Sequence, residues 1–574
     1  MNYNEEYRRW LNSASLSEEE KKELSAISEN SDAIKMRFSS LMSFGTAGLR
    51  STMSLGTSTM NRFTVMHTTR GIAKLVISCN GSQRGVAIAY DSRNNSKEFA
   101  VASAEVLAGA GIKVYIFDSL RPTPELSFAV RALNCMAGIN ITASHNPKEY
   151  NGYKAYWEDG AQIGPEQAEV VVKERSSFDI LDITGLVSYD VAKEQGLIVE
   201  LSEDFDEIYL NAVVKTAINK NAVRDVSDSL TVVYTPLHGA GYKLVPEAFS
   251  RIGLKKLYCV TEQMMPNGDF PTVAKPNPEY KEVFAAGIEL ANKVGSDIII
   301  ATDPDSDRVG VMTRSDDGSF KTITGNQMGA LLLDYAIGAK RKEGMLNSES
   351  YCVKSIVSTD MANKIADYNG VKLYDVLTGF KFIGEVIKNN EALGNKDGFI
   401  LGFEESYGYL LGTYARDKDA VEASMLILEM TAFYKKQGMT LSDALDALYE
   451  KYGLYTERTI DIYMEGLDGI ERRARVMSGL RQNPPKDFCG YKVASVGDYL
   501  AGEFIDTDGK KSPTNQPASD VLYYTLENGD KIILRPSGTE PKIKIYVLAH
   551  GDSREELDKK TELYSAFAKK LAEV

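Results

Sequence analysis

Cysteine and histidine are scarce in this chain. Cys79, Cys135, Cys259, Cys352 and Cys489 are widely scattered and form no CxxC pair. That argues against a disulfide framework or a cysteine-built zinc site and fits a reducing cytoplasm. Four histidines, His67, His145, His238 and His550, are too few for a multi-histidine metal centre. The opening MNYNEEYRRW is charged and has no apolar core, so no secretory signal is expected. No segment offers ~20 consecutive apolar residues, so no membrane span is expected either. Positive charge is also in deficit: the formal net charge is -14. Nonspecific binding to nucleic acid or to an anionic membrane is therefore not expected, while an anionic small substrate stays open, because local charge in a cleft decides that.

What is present is a long chain of ordinary globular composition. Its 574 residues suggest three to five domains at about 150 residues each. The first 42 residues read as short amphipathic helices, with Ser15 or Ser17 before EEEKKEL as a helix start. RGVAIAYDSR, EFAVASAEVLAGAG and IKVYIFDS then read as strand, helix and strand, a βαβ unit that favours a parallel sheet. The style recurs in SLTVVYTPLHGAG through KKLYCV, closed by the strand SDIIIAT, and again in ESYCVKSIVST through VKLYDVLTG. The last ~115 residues differ, with several strands, a polar loop GKKSPTNQPASD and a terminal helix from about Ser553, an α+β pattern. The expected divisions are 1–205, 206–323, 324–460 and 461–574.

Six stretches carry candidate chemistry. In ATDPDSDRVG, Asp303, Asp305 and Asp307 recur every second residue, which in an extended segment puts them on one side. Three carboxylates together repel unless a cation sits among them, and oxygen ligands favour Mg²⁺ or another hard dication. An EF-hand fails here: Arg308 stands where Gly is needed and Arg314 where Glu is needed. The bland alternative is a solvated acidic turn. Arg308 beside the cluster suits a phosphate.

TASHNPKEYNGYK holds Ser144 and His145. Alone, the pair reads as a turn before Pro147, and no GxSxG elbow is present. A serine bearing phosphate is a phosphoryl donor, however, and the acidic cluster supplies the dication it would need. RPSGTEPK places Arg535, Ser537, Gly538 and Thr539 between two strands, a phosphate cradle or a plain polar turn. GFEESYGY offers Glu404 and Ser406 to sugar hydroxyls, or to local capping. Lys381 in LTGFKFIG suits an anionic or hydroxyl-rich ligand. FGTAGLR ends in Arg50, which is either functional or a surface arginine on a Gly-rich connector.

TASHNP, DPDSDR, GFEESYG and RPSGTEPK, in this order and with FGTAGLR and LTGFK, resemble the α-D-phosphohexomutase superfamily over essentially the whole chain, and most of all its bacterial, phosphopentomutase-related phosphoglucomutase branch. The resemblance implies an α/β fold: three topologically similar α/β domains with mixed or parallel sheets, plus a C-terminal α+β domain, around a central cleft. It implies a phosphoserine at Ser144 and Mg²⁺ held by Asp303, Asp305, Asp307 and that phosphate. It assigns sugar contacts to Glu404, Ser406 and Lys381, and the non-reacting phosphate to Arg535, Ser537, Gly538 and Thr539. Lys154, Arg50, His145 and Arg308 would surround the transferring group. The implied reaction interconverts glucose 1-phosphate and glucose 6-phosphate through glucose 1,6-bisphosphate. The sugar-loop histidines of the mannose- and glucose-handling relatives are absent here, which favours glucose and leaves a pentose phosphate open. A metal-dependent phosphatase is the rival of a different class. The partner expected is a small sugar phosphate, with no nucleic acid and no membrane.

Overall fold

The computed structural model describes residues 2–464, 469–537 and 542–572. They form two compact units, each discontinuous in sequence: 1–323 with 387–394 and 407–440, and 324–386 with 395–406 and 441–574. Among the described residues no helix is long and apolar enough to cross a membrane.

The first unit is built on two mixed sheets. One runs in the order Leu49–Thr52, Tyr150–Trp157, Ala137–Ile141, Val86–Tyr90, Val114–Phe117 and Ile198–Leu201. Its last four strands are parallel and its first two antiparallel. The other runs Phe320–Ile323, Val309–Arg314, Ile298–Thr302, Thr231–Thr235 and Lys256–Cys259, with the last three parallel. The central strands VAIAY, AGINI, TVVYT and IIIAT are buried at every residue, as continuous apolar runs in a sheet covered on both faces require. Packed against the first sheet are helices such as Ser96–Gly109 and Thr123–Ala132.

The expected N-terminal helices are present, and Ser17 caps Glu18–Ser25 in a reciprocal capping box with Glu20. They bury Tyr7, Trp10, Leu24 and Phe38 in a cluster that includes Phe63.

Helix Ala420–Lys435 also belongs to the first unit. Asp419 caps it, accepting from Val421 N and Glu422 N through one oxygen, a contact worth ~1 kcal/mol. Its other oxygen accepts the hydroxyls of Tyr209 and Tyr414. That cap fixes the chain at Asp417 and Lys418, which enter the site described below.

In the second unit, Lys372–Val376, Tyr351–Ser355 and Phe399–Glu404 lie side by side in parallel. A second, antiparallel sheet follows the order Leu454–Tyr463, Lys542–Gly551, Lys531–Pro536, Leu522–Leu526, Tyr491–Asp498, Glu503–Asp506 and Lys511–Pro513. The expected terminal helix spans Arg554–Ala572. The polar segment read as a loop contains the short strand Lys511–Pro513, fully exposed at the sheet edge. Polar residues with no buried face carry no period-2 signal, so this strand is silent in the sequence. Ile356, Val357 and Leu377 pack with Tyr523, Ile533 and Tyr546, joining the parallel and antiparallel sheets of this unit.

Glu422, fully buried, accepts from the backbone N–H groups of Leu411 and Gly412. Burial, and then Asp419, push it from its ordinary 4.5 up to about 8. A carboxyl raised on folding contributes stability that is complete below its unfolded value and is lost as pH rises through its folded value. Glu422→Gln removes that loss. The variant's melting temperature relative to the parent should rise between pH 6 and pH 9 by roughly 3 °C or more. A difference that does not move with pH contradicts the assignment.

Candidate active site

Two loops at the carboxyl ends of central strands meet in the first unit, where open α/β sheets bind ligands. One leaves Ala137–Ile141 and carries Ser144; the other leaves Ile298–Thr302 and carries the three aspartates. Ser144 donates through Oγ to Asp303 Oδ2 at 2.7 Å and lies 3.1 Å from His145 Nδ1. Asp303, Asp305 and Asp307 are fully buried, and one oxygen from each lies within 4.8 Å of the others.

The aspartates converge for a different reason than strand alternation. The segment is a turn, with Ser306 at φ +50° and Ser306 N donating to Asp303 O. Asp303 Oδ1 accepts from the N–H groups of Asp307 and Arg308, which closes the loop.

Lysines meet this acidic loop. Lys154 Nζ donates to Asp305 Oδ2 at 2.7 Å and to Asp307 Oδ2 at 3.0 Å. Lys418 Nζ lies 2.9 Å from Asp307 Oδ2 and 3.2 Å from Asp417 Oδ1. Lys418 was not singled out in the sequence. RDKD reads as a charged turn before an apolar helix, and nothing local points to Asp307. Thr123 was also missed: its N–H donates to Asp305 O and its hydroxyl to Asp305 Oδ2. Arg50 Nη1 donates to Asn146 Oδ1 at 3.1 Å, and Arg308 Nη1 to Glu279 Oε1.

The charges follow from this packing. Burial, then Asp305 and Asp307, push Asp303 well above the ordinary carboxylate range. Burial works to lower Lys154, but Asp305 and Asp307 outweigh it and hold the ammonium above its usual value. Half-buried His145 is held well below its usual value by burial and by Arg308 and Arg50, so its imidazole is neutral at pH 7.

The donor set fits a metal. Asp305 Oδ1 and Asp307 Oδ1 are buried and accept no hydrogen bond among the described residues. Buried carboxylate oxygens left this way are costly unless a cation takes them. All ligands are oxygen, which suits a hard divalent ion.

The remaining expected residues lie in the second unit. Glu404 ends the strand Phe399–Glu404, is buried, and accepts from Gly379 N at 2.6 Å. Lys381, just after Gly379 (φ +126°), opens the helix Phe380–Ala392 and is lowered by burial against a weaker opposing pull from Glu385. Ser406 follows in the turn after Glu404 and is half-buried. Arg535 lies in Lys531–Pro536, opposite Lys544, and Ser537 N donates to Lys542 O. Arg473 donates to Ser537 O. Gly538 and Thr539 lie outside the described residues.

Models of three phosphoglucomutase/phosphomannomutase α/β/α domains match the chain: domain I at residues 41–177, domain II at 207–318 and domain III at 324–452. The chain belongs to the phosphoglucomutase/phosphomannomutase family. The fold is accordingly three α/β/α domains with mixed sheets plus a fourth, mostly antiparallel C-terminal domain. Among curated relatives, a phosphoglucomutase of Staphylococcus saprophyticus is 37% identical over 526 residues, 92% of this chain and 93% of its own. One from Staphylococcus aureus is 38% identical over 524 residues, covering 90% and 92%. Among solved structures, the phosphoglucomutase pp63/parafusin of Paramecium aligns with TM-score 0.68 at 17% identity, over 93% of this chain and 96% of its own. A phosphoglucomutase/phosphomannomutase family protein of Burkholderia thailandensis gives 0.65 at 18%, over 92% and 97%. At these identities the two structures speak to fold alone.

Asp303→Asn in this family member keeps an acceptor for Asp307 N and Arg308 N while removing one of the three carboxyl groups that could hold a metal. Its melting temperature without metal should equal or exceed that of the parent, and the increase on adding a divalent cation should shrink to near zero. A cation-induced increase equal to the parent's would remove Asp303 from the metal site.

Proposed function

We propose that this family member is a phosphoglucomutase that carries a phosphoryl group on Ser144 and passes it between O6 and O1 of glucose through glucose 1,6-bisphosphate. The observation that carries this reading is the hydrogen bond from Ser144 Oγ to Asp303 at the edge of the buried acidic triad. Phosphoglucomutase relatives aligned over about nine-tenths of the chain support it. The four-part division at 1–205, 206–323, 324–460 and 461–574 belongs to the same proposal, and the spans of the family-model matches support its first three parts.

The problem is geometric. O1 and O6 of one hexose cannot both lie in line with a single phosphorus, so direct internal transfer is excluded. In the proposed cycle, O6 of glucose 1-phosphate attacks the phosphorus on Ser144. The bond from phosphorus to Ser144 Oγ breaks, and the O6 proton passes through the neutral imidazole of His145 to the departing Oγ, 3.1 Å from its Nδ1, while Lys154 stays an ammonium; the second transfer returns the proton by the same route. The bisphosphate turns end for end, and Ser144 Oγ then takes the phosphoryl group from O1, releasing glucose 6-phosphate. Mg²⁺ held by Asp303, Asp305, Asp307 and the Ser144 phosphate would supply charge neutralisation for the transferred group.

The protein's own groups do the rest. Lys154, Arg50 and Arg308 offer fixed positive charge to the phosphoryl oxygens, in a setting where preorganised charge counts for more than it does in water. Arg535, Ser537, Gly538 and Thr539 would hold the non-reacting phosphate. A grip made of guanidinium, hydroxyls and backbone N–H groups reads phosphate whichever sugar oxygen bears it. Glu404, Ser406 and Lys381 would read the sugar hydroxyls. The segments FEESYG and TGFK, which lack histidine, support glucose over mannose. Free thiols at all five cysteines are compatible with a cytoplasmic setting.

Ser144→Ala should lose net conversion of glucose 1-phosphate by at least ~10⁴-fold in a coupled assay containing bisphosphate; turnover near the parent's would refute the phosphoserine. Arg535→Ala should raise KM for glucose 1-phosphate by roughly 10-fold or more. An unchanged KM would remove Arg535 from the phosphate grip.

A further inference from the structure

The stretch AYDSR ends the strand Val86–Tyr90 with Asp91 and Arg93, which the proposed mechanism leaves without a task. Both side chains are fully buried. Arg93 Nη2 donates to the carbonyl oxygens of Ser144 and Asn146, each at 2.5 Å. Its Nη1 donates to those of Pro147 at 2.9 Å and Tyr150 at 3.1 Å. One guanidinium thus ties together the backbone of the whole Ser144 loop. The ring of Phe270 lies 5.1 Å from the Arg93 guanidinium carbon.

Asp91 sets that guanidinium and the start of the loop together. Its Oδ2 lies 3.2 Å from Arg93 Nε and accepts from Thr142 Oγ1 at 2.6 Å. Its Oδ1 accepts from Arg93 N and Ser96 Oγ. Thr142 Oγ1 in turn accepts from Ser144 N at 2.8 Å. The N–H and the C=O of Ser144 are therefore both held, one through Thr142 and the other by Arg93.

Ser144 needs that hold. Its φ is +54°, a left-handed conformation that costs an L-residue about 1–2 kcal/mol and persists only where the surroundings over-determine it. A buried Arg–carboxylate pair contributes little net stability, because desolvation offsets the attraction. Its presence under this loop is better explained by what it holds in place.

We propose that Arg93, oriented by Asp91, is the positioning residue for Ser144: it locks the serine backbone in its left-handed conformation so that Oγ keeps one place while the phosphoryl group leaves and returns. The inference rests on the proposed phosphoserine. Ser144 has to serve as donor and acceptor within one turnover, and its charge changes between the two steps. A loop free to relax when the phosphoryl group departs would lose the alignment needed to take it back, and displacements of about 1 Å cost up to ~10²-fold in rate.

Arg93→Lys tests this. Lysine keeps the charge beside Asp91 but lacks the planar fork that reaches four carbonyls. Phosphoenzyme labelled with ³²P is mixed with glucose 1-phosphate, and single-turnover transfer is measured per labelled, folded molecule. Transfer should slow by about 10- to 100-fold while KM stays within roughly two-fold of the parent's. Asp91→Asn, which keeps an acceptor for Thr142, should shift transfer in the same direction by a smaller factor, and it decides the matter if the lysine variant does not fold. Transfer at the parent's rate in a folded variant, with only the melting temperature lowered, overturns the assignment. If the parent takes up label and the variants match it, only the role of Arg93 fails. If the parent never takes up label, the phosphoserine reading fails and takes this one with it.

Discussion

Three carboxylates folded into one buried turn are the constraint on which the rest depends. Two like charges ~4 Å apart repel by about 4 kcal/mol at an effective dielectric of about 20, and here three carboxyl groups share one loop buried from bulk solvent. Folding can tolerate this only by bringing positive charge to the turn. Lys154 arrives on the strand beside the Ser144 loop, and Lys418 arrives just before the cap of a long buried helix. The cap at Asp419 and the hydroxyls of Tyr209 and Tyr414 fix the chain that delivers Lys418. A scaffold element thereby becomes part of the site's charge balance.

The same economy explains why the site is mostly backbone-fixed. Asp303 spends one oxygen on two N–H groups of its own loop and offers the other to Ser144. Asp305 is held from outside by Thr123, whose hydroxyl in turn accepts from Asn140 on the strand that leads to Ser144. The serine loop and the acidic loop therefore share supports, and neither can move far without straining the other. Under the proposed phosphoserine cycle, such shared support means the site need not reorganise between steps.

Much of this was legible in the chain. The continuous apolar runs and the strand–helix–strand rhythm announce the α/β units, because fully covered strands need no alternation. Ser144 and the three aspartates were legible because their residue types follow strands and make chemical sense together. The aspartates do converge, but through a turn with Ser306 at positive φ and not through the pleat of an extended segment. Lys418 and Thr123 were not legible, since each reaches the acidic loop through tertiary packing from a distant part of the sequence. Arg93 was hidden differently. Its residue looks like an ordinary polar strand end, and only coordinates reveal that its fork points beneath the serine loop. The edge strand Lys511–Pro513 was invisible because it buries nothing.

The central claim is that the hydroxyl at position 144 carries the phosphoryl group. Site mapping by tandem mass spectrometry, on protein incubated with glucose 1,6-bisphosphate and then with excess glucose 1-phosphate, tests it most directly. The account predicts a single phosphate on Ser144 after the first step and its depletion after the second. Phosphate on another residue, or a Ser144 that never gains one in active protein, would contradict it.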